Sequence, residues 1–309
     1  MTTGTQLSIV IPVYNEEENL QELYRRLSIV LKQMNCSYEI VFVDDGSSDR
    51  SWLGIQQLHE KDQRVKGLSF SRNFGHMIAL CAGLDIALGE AIITMDADLQ
   101  HPPELIPQLV RKWREGADII NTVRNKTKKE SIIKRFLSNG FYYLVNKIAK
   151  TNIPRNAADY RLLDRKVVET LKLIRERSRF LRGLIGWVGY KQEFINYEAD
   201  PRFAGQTKYS FSRMFSFALD GITSFSSFPL RFSTYLGFTI AFCDFIYSLF
   251  AIYARYLSNQ VISGWTSVLV SVLFIGSVQL IFLGIIGEYL GRVFEETKQR
   301  PLYIVNKRI

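Results

Sequence analysis

Ala91-Ile92-Ile93-Thr94-Met95-Asp96-Ala97-Asp98-Leu99-Gln100 carries an apolar run of strand length straight into a doubly acidic turn. The same change of character occurs three times upstream. Leu7–Val13 leads into Tyr14-Asn15-Glu16, residues 39–43 into Asp44-Asp45-Gly46-Ser47, and Val65–Phe70 into Ser71-Arg72-Asn73-Phe74-Gly75. A fifth strand-length run covers 118–123, and helical patterns fall between the runs at 16–34, 48–59, 76–88 and 103–114. Strand alternating with helix predicts an α/β domain with a mostly parallel sheet and helices on both faces. Ligands of such open sheets bind outside the carboxyl ends of the strands. The four polar clusters are therefore expected to share one edge and to form a site. Any one of them alone reads equally well as a helix N-cap, with Ser48 or Asp49 as examples.

Composition sets the frame around this domain. A chain of 309 residues accommodates one sizeable domain and an appendage. With 47% hydrophobic and 22% charged residues it is not a disordered chain. A mean hydropathy of zero fits the average of two unlike parts. Cys36, Cys81 and Cys243 are too few and too far apart for a disulfide framework or a Cys-rich zinc site, and they fit a reducing compartment. His59, His76 and His101 form no HExxH pair, which excludes a zincin-type protease. The net charge of +9 calls for an anionic partner. No signal-peptide pattern opens the chain.

The apolar mass lies at the other end. Residues 232–254 contain one charge, Asp244, and 265–286 contain none. Each run is long enough to cross ~30 Å of hydrocarbon as a helix. Two buried core helices are the alternative, but Phe, Leu and Ile crowd all faces and aromatic or basic residues flank the ends. The loop between them is almost uncharged, whereas Arg292, Lys298, Arg300, Lys307 and Arg308 follow the second run. Positive-inside bias places both termini in the cytoplasm. Two amphipathic stretches, 133–148 and 211–222, either lie in a membrane interface or pack on the sheet. The second leads directly into the first span. Asp244 reads as a helix-packing hydrogen bond or as a functional intramembrane acid, with Gln279 or a neighbouring protomer as partner. Gly276, Gly284, Gly287 and Gly291 allow close helix contact and admit a homo-oligomer.

Asp96 and Asp98, with the Gln100 amide, suit a hard divalent cation, Mg²⁺ or Mn²⁺, that keeps waters and takes further ligands from substrate phosphates. A lone DxD is as easily a solvated turn. This one follows a buried strand and precedes Pro102-Pro103, which fix the exit. Arg72 on the neighbouring loop is placed to contact the same anion. There is no GxGxxG after the first strand, no GxxxxGK[ST] and no GxSxG, so a dinucleotide fingerprint, a P-loop and a hydrolase elbow are all excluded. A metal-held diphosphate without a P-loop leaves nucleotide-sugar chemistry. The basic stretch Arg124, Lys126, Lys128, Lys129, Lys134 and Arg135 reads as a solvated face, a nucleic-acid surface or a lipid-headgroup contact. The absence of a nucleic-acid module and the presence of spans favour lipid, with no nucleic-acid partner.

Ile11-Pro12-Val13-Tyr14-Asn15-Glu16, Val43-Asp44-Asp45-Gly46-Ser47 and Asp96-Ala97-Asp98-Leu99-Gln100 resemble the inverting family 2 glycosyltransferases of the GT-A fold. Ser71-Arg72-Asn73-Phe74-Gly75, Asp159-Tyr160-Arg161-Leu162 and the two apolar runs narrow the likeness to polyisoprenyl-phosphate glycosyltransferases, especially the bactoprenol glucosyltransferase group. The resemblance implies a GT-A domain over 1–205, an amphipathic juxtamembrane segment over 206–230 and a two-helix transmembrane hairpin with its tail over 231–309. It implies that Pro12, Tyr14 and Glu16 line the nucleoside pocket and that Asp44 reads the base. Asp96 and Asp98 would hold the metal and diphosphate with Gln100 assisting. Asp159 would face the acceptor, Arg124 and Arg135 would hold the lipid phosphate, and Lys208 would sit in a basic loop near donor and membrane. The implied reaction moves glucose from UDP-glucose to undecaprenyl phosphate at the inner membrane. Because a phosphate acceptor is already anionic at neutral pH, Asp159 is expected to orient the acceptor or a basic partner rather than to remove a proton. Alternatives are a dolichyl-phosphate mannosyltransferase-like enzyme using GDP-mannose, a processive synthase, for which two spans are too few, and an inactive membrane-anchored scaffold.

Overall fold

The computed structural model describes residues 5–124, 157–177, 179, 181–198, 228–256 and 264–309. The basic and amphipathic stretches at 126–148 and 206–222, with Arg135 and Lys208, lie outside these residues.

Two units divide the chain: 1–218 with 300–309, and 219–299. The first is built on an eight-stranded sheet. Strands β1 (Leu7–Val13), β2 (Tyr38–Asp44), β3 (Val65–Phe70), β4 (Ala91–Thr94), β5 (Ile119–Arg124), β6 (Ala157–Asp164), β7 (Gln192–Tyr197) and β8 (Val305–Arg308) take the order β7-β5-β6-β4-β1-β2-β3-β8. Helices α1 (Leu20–Gln33), α2 (Ser51–Lys61), α3 (His76–Ile86) and α4 (Ile106–Arg114, preceded by a 3₁₀ turn at Pro103–Leu105) follow the first four strands, and α5 (Arg165–Leu173) and α6 (Leu181–Trp187) follow β6. Every residue of β1 and β2 is buried, as continuous apolar strands covered on both faces must be. The apolar stripe of α1 sends Leu20, Leu23, Leu27 and Leu31 into the core beside Ile9, Ile40 and Phe42.

β1 pairs in parallel with β2 on one side and β4 on the other. The chain winds outward through β2 and β3, then returns across β1 to lay down β4. The loops leaving β1 and β4 therefore diverge, and such a switch in strand order opens a crevice at the carboxyl edge. β6 is the reversal, antiparallel to both β4 and β5, so β5 and β7 again point the same way as β4. The carboxyl ends of six strands and the amino ends of β6 and of the edge strand β8 meet on one edge.

Residues 300–309, read from sequence as a tail of the membrane segment, instead rejoin the first unit. β8 lies antiparallel on β3, and Ile309 exchanges both backbone hydrogen bonds with Gly67 (3.1 and 2.9 Å). A Cβ on Gly67 would stand 2.8 Å from the Ile309 side chain, so the glycine makes room for the chain end. The periodicity missed this strand because Val305-Asn306-Lys307-Arg308 is exposed throughout and mostly polar, as suits a sheet edge.

The second unit holds two long helices, α7 (Phe228–Tyr256) and α8 (Trp265–Thr297). Among the described residues one helix segment, Phe274–Thr297, is long and apolar enough to cross a membrane, with a mean hydropathy of 1.6 in its most apolar stretch and none of that stretch buried. α7 likewise exposes Phe232, Tyr235, Phe238, Phe242 and Phe250. Gly237 approaches Phe282 across the pair, but Gly276, Gly284, Gly287 and Gly291 have open space where a Cβ would stand. Their close-packing role is not met between these two helices. Asp244 lies within α7, and its side chain is outside the described residues.

Candidate active site

Loops at the carboxyl edge are stitched to one another by side chain–backbone hydrogen bonds. Asn15, held in the left-handed region at φ 54°, donates its N–H to Ser47 Oγ (3.0 Å), and its Oδ1 accepts from Ser48 N (2.8 Å). The Glu16 N–H reaches Ser51 Oγ (3.0 Å). Pro12 is buried near the end of β1, beyond the last residue paired with β4, where its missing N–H leaves no rung empty on that side. Tyr14 projects with 42% of its surface exposed. Asp44 is buried and already hydrogen-bonded, accepting from Ser47 N in its own loop (3.0 Å) and from Ser69 Oγ on β3 (2.8 Å). A carboxylate has about four acceptor positions, so these two bonds leave it capacity for a further donor.

Asp45, which the sequence reading passed over, clamps the next loop. Its carboxylate accepts from Phe74 N (2.7 Å) and from Gly75 N (3.0 Å). Burial raises its pKa above the ordinary carboxylate value, against the pull of those N–H donors. Gly46, at φ 68°, presses its backbone onto Arg72, where a Cβ would stand 2.4 Å from the Arg72 carbonyl carbon. Only glycine meets both the conformation and the approach. Arg72 itself is exposed, its guanidinium 4.2 Å from the centre of the Phe74 ring.

At the end of β4, Asp98 Oδ1 accepts from Gln100 N (3.2 Å), and Leu99 sits at φ 63°. A bulky side chain in the left-handed region is strained, and such strain collects at functional turns. Here it tightens the turn between Asp98 and Gln100. Asp96 N–H donates to His101 Nδ1 (2.9 Å), which leaves the proton of a neutral His101 on Nε2, 3.7 Å from Asp96 Oδ2. Asp96 Oδ1 is buried without a hydrogen-bond partner, with His76 Nε2 at 3.4 Å. An unsatisfied buried carboxylate oxygen favours a cation. Among the described residues no cluster of three or more His, Cys, Asp or Glu forms a closed metal cage. A cation held by one or two carboxylates and completed by phosphate and water needs no such cage, so the residues present fit one.

The register that pairs Thr94 with Arg161 brings Asp159 level with Asp96 just past the ladder. Asp159 and Arg161, two apart on β6, share a face. Asp159 Oδ1 accepts from Arg161 Nη2 (2.9 Å) and Arg182 Nε (2.9 Å), and Oδ2 from Arg182 Nη2 (2.7 Å). Burial alone would raise the pKa of this carboxyl, which is 6% exposed, but Arg182 and Arg161 outweigh it and hold the group far below the ordinary range. It stays ionised at any pH near neutrality. His76 Nε2 lies 3.8 Å from Asp159 Oδ2 and so stands between the two acidic centres. Tyr197, T-shaped against both Tyr160 and the buried His101, has its phenol pushed up to about 12 by burial, with Arg124 opposing and Asp96, Asp98 and Asp159 adding to the rise. Arg124, in register with Tyr197, ends β5 on the same edge.

Of the residues anticipated from sequence, Pro12, Tyr14, Glu16, Asp44, Arg72, Asp96, Asp98, Gln100, Arg124 and Asp159 all lie on this edge, and Arg135 and Lys208 fall outside the described residues. Asp45, His76, His101, Arg161, Arg182 and Tyr197 were missed. His76 and His101 directly follow quoted motifs and are two of only three histidines, which was a usable signal. Arg182 had none, since it reaches Asp159 from a helix 23 positions away.

Known proteins are similar to this chain in sequence. The profile described as Glycosyl transferase family 2 matches residues 8–172. An uncharacterized glycosyltransferase, sll0501, of Synechocystis is 48% identical over 301 residues, 97% of this chain and 95% of its own. The bactoprenol glucosyl transferase of Shigella phage SfX is 42% identical over 303 residues, 98% of this chain and 99% of its own. Among solved structures, glucosyl-3-phosphoglycerate synthase of Mycobacterium tuberculosis, crystallised with Mn²⁺, UDP and phosphoglyceric acid, aligns at a TM-score of 0.48 and 16% identity over 71% of this chain and 77% of that one. With a GT-A-like sheet, the acidic turn after β4 and full-length relatives of this kind, the chain belongs to glycosyltransferase family 2 and is a glycosyltransferase similar to the bactoprenol glucosyl transferases.

Proposed function

We propose that this enzyme transfers glucose, with inversion, from UDP-glucose to a polyprenyl phosphate. The observation that carries the acceptor class is the likeness to a bactoprenol glucosyl transferase over 98% of the chain, a span that includes α7 and α8. The observation that supports a metal-held diphosphate is the buried Asp96 Oδ1, which no hydrogen bond satisfies, two residues before Asp98 at the strand-order switch.

In this reading Asp96 and Asp98 would hold Mg²⁺ or Mn²⁺, with Gln100 assisting. The ion, when bound, neutralises charge developing on the leaving diphosphate. Arg72 contributes a fixed positive charge to the same anion. Tyr14, Glu16, Pro12 and Asp44 form the nucleoside side of the crevice. On the acceptor side, a lipid phosphate arrives already anionic and needs no strong base. Asp159, locked between two guanidinium groups, serves as an anchor: it fixes Arg182 and Arg161, whose positive charge orients the acceptor together with that of Arg124. Arg135 and Lys208 are assigned to the lipid phosphate and the donor by resemblance.

Connectivity supports a membrane hairpin. The chain leaves the first unit after residue 218 and rejoins it at 300, so any crossing by α8 must be matched by a second. At 1.5 Å per residue α7 and α8 are about 43 and 50 Å long, enough for ~30 Å of hydrocarbon. In this reading the Lys- and Arg-rich flanks favour a cytoplasmic side for the catalytic unit and both termini at the plasma membrane.

The test is transfer from a donor panel. Purified full-length protein in detergent, undecaprenyl phosphate and Mg²⁺ are mixed in parallel with labelled UDP-glucose, GDP-mannose, UDP-galactose and UDP-N-acetylglucosamine. Organic-phase label from UDP-glucose alone is expected. Label from GDP-mannose alone would replace the donor, and label from none would remove the proposal.

A further inference from the structure

The loop that carries Arg72 is gripped from two directions. On the inner side Asp45 and Gly46 hold its backbone, as described above. On the outer side is the C-terminal segment: Ser71 N donates to the Ile304 carbonyl (3.0 Å), and the Tyr303 ring stacks on Phe70 at 5.1 Å and 20°. Phe70 in turn meets Phe74 edge-on at 5.6 Å and 86°, and Phe74 is the ring beneath the Arg72 guanidinium. Three aromatic rings thus run from the chain end to Arg72. The outer ring is itself fixed, because Tyr303 Oη donates to Asp85 Oδ2 (3.0 Å), an oxygen that also pairs with Arg175 Nη1 (3.2 Å). Phe70 is buried and Arg72 is exposed, so the relay links the interior to a long cation at the mouth of the crevice, whose guanidinium otherwise donates to the Asn73 carbonyl of its own loop (3.2 Å).

We propose that Tyr303 is a positioning residue for the donor site: through Phe70 and Phe74 it holds Arg72 where the nucleotide diphosphate binds. The proposal rests on the reading of Arg72 as a diphosphate contact. An arginine side chain ordered before the ligand arrives loses less conformational freedom on binding it. Removing the Tyr303 ring frees Phe70, loosens Phe74 and returns that loss to the binding step. The effect belongs to donor affinity and not to the chemical step, and it leaves the lipid side untouched.

The experiment measures kcat and KM for the nucleotide sugar and for the lipid phosphate, with full-length protein in detergent and thermal melting alongside. Tyr303→Leu is expected to raise donor KM about five- to tenfold, with kcat and lipid KM within about twofold of wild type. Tyr303→Phe keeps the stacked ring and loses only the hydrogen bond to Asp85, so its donor KM rises less than that of Tyr303→Leu, with kcat and lipid KM within about twofold of wild type. In an Arg72→Ala background, where donor KM is already high, Tyr303→Leu adds nothing further. An unchanged donor KM in Tyr303→Leu overturns the proposal, as does an equal rise with and without Arg72. If Arg72→Ala alone leaves the donor constants unchanged, it is the diphosphate reading that fails. Should Tyr303→Leu lose cooperative melting, Tyr303→Met fills similar volume without a ring and carries the same comparison.

Discussion

Replacing Asp159 with Asn separates an anchor from a base. In the structure this carboxylate accepts three hydrogen bonds from two guanidinium groups, and Arg161 is only 3% exposed. Asparagine keeps the shape and removes the charge, which leaves two cations facing each other in a buried place. Breaking a buried pair from one side costs about 3–5 kcal/mol. For a unit of this size each kcal/mol lowers the melting temperature by roughly 2–4 °C, so a fall of roughly 6–20 °C is expected from differential scanning fluorimetry in detergent. The sign with pH follows from the depressed pKa. The stabilisation is complete above the ordinary carboxylate range and is lost only as pH falls through the lower folded value. Between pH 5 and 9 (roughly, the range an assay covers) Asp159 binds no proton, so it gives kcat/KM no acidic limb. Removing Arg182 as well should recover part of the melting loss, because the uncompensated charge is what costs. A catalytic base would behave oppositely. Asp159→Asn would then melt like wild type, lose turnover and abolish an acidic limb seen in the wild type, and that result would refute the reasoning.

Asp98→Ala should abolish metal-stimulated transfer, read by titrating the divalent cation in the transfer assay; full activity would remove it from the cation site. Gly46→Ala should cost more than the ~1 kcal/mol typical of left-handed strain, because the new Cβ also strikes the Arg72 backbone, and donor KM should rise with it; denaturant melts and donor titrations read both. Glu39→Ala should destabilise by about 1–3 kcal/mol without touching KM, since it leaves the buried donors Ser8 Oγ and Leu88 N unsatisfied at the opposite end of the sheet, while the Lys66 ammonium it also releases is partly exposed to water.

Much of this was legible before any coordinates. The first four strands announce themselves as apolar runs ending in polar clusters, and parallel winding then brings those ends together without further information. The motif around Asp96 is local in sequence and local in space, so it could be read directly. The remainder depends on long-range pairing. β6 and β7 are not announced by a winding pattern, because β6 reverses the sheet. Arg182 meets Asp159 only after α6 has packed, and no spacing rule encodes that meeting. Tyr303 lies more than 200 residues from Phe70, with two long helices between them. Its role became visible only once β8 was seen to close the sheet.

In the proposed reaction the strand-edge site moves a sugar onto a lipid phosphate with the help of a divalent cation. The most direct measurement offers the purified chain labelled UDP-glucose with undecaprenyl phosphate, with undecaprenol, or with no added lipid, each with Mg²⁺ and again after a chelator. The account predicts organic-phase label with the phosphate acceptor alone, and its loss on chelation. Equal label with the alcohol, or transfer that survives removal of every divalent ion, would contradict it.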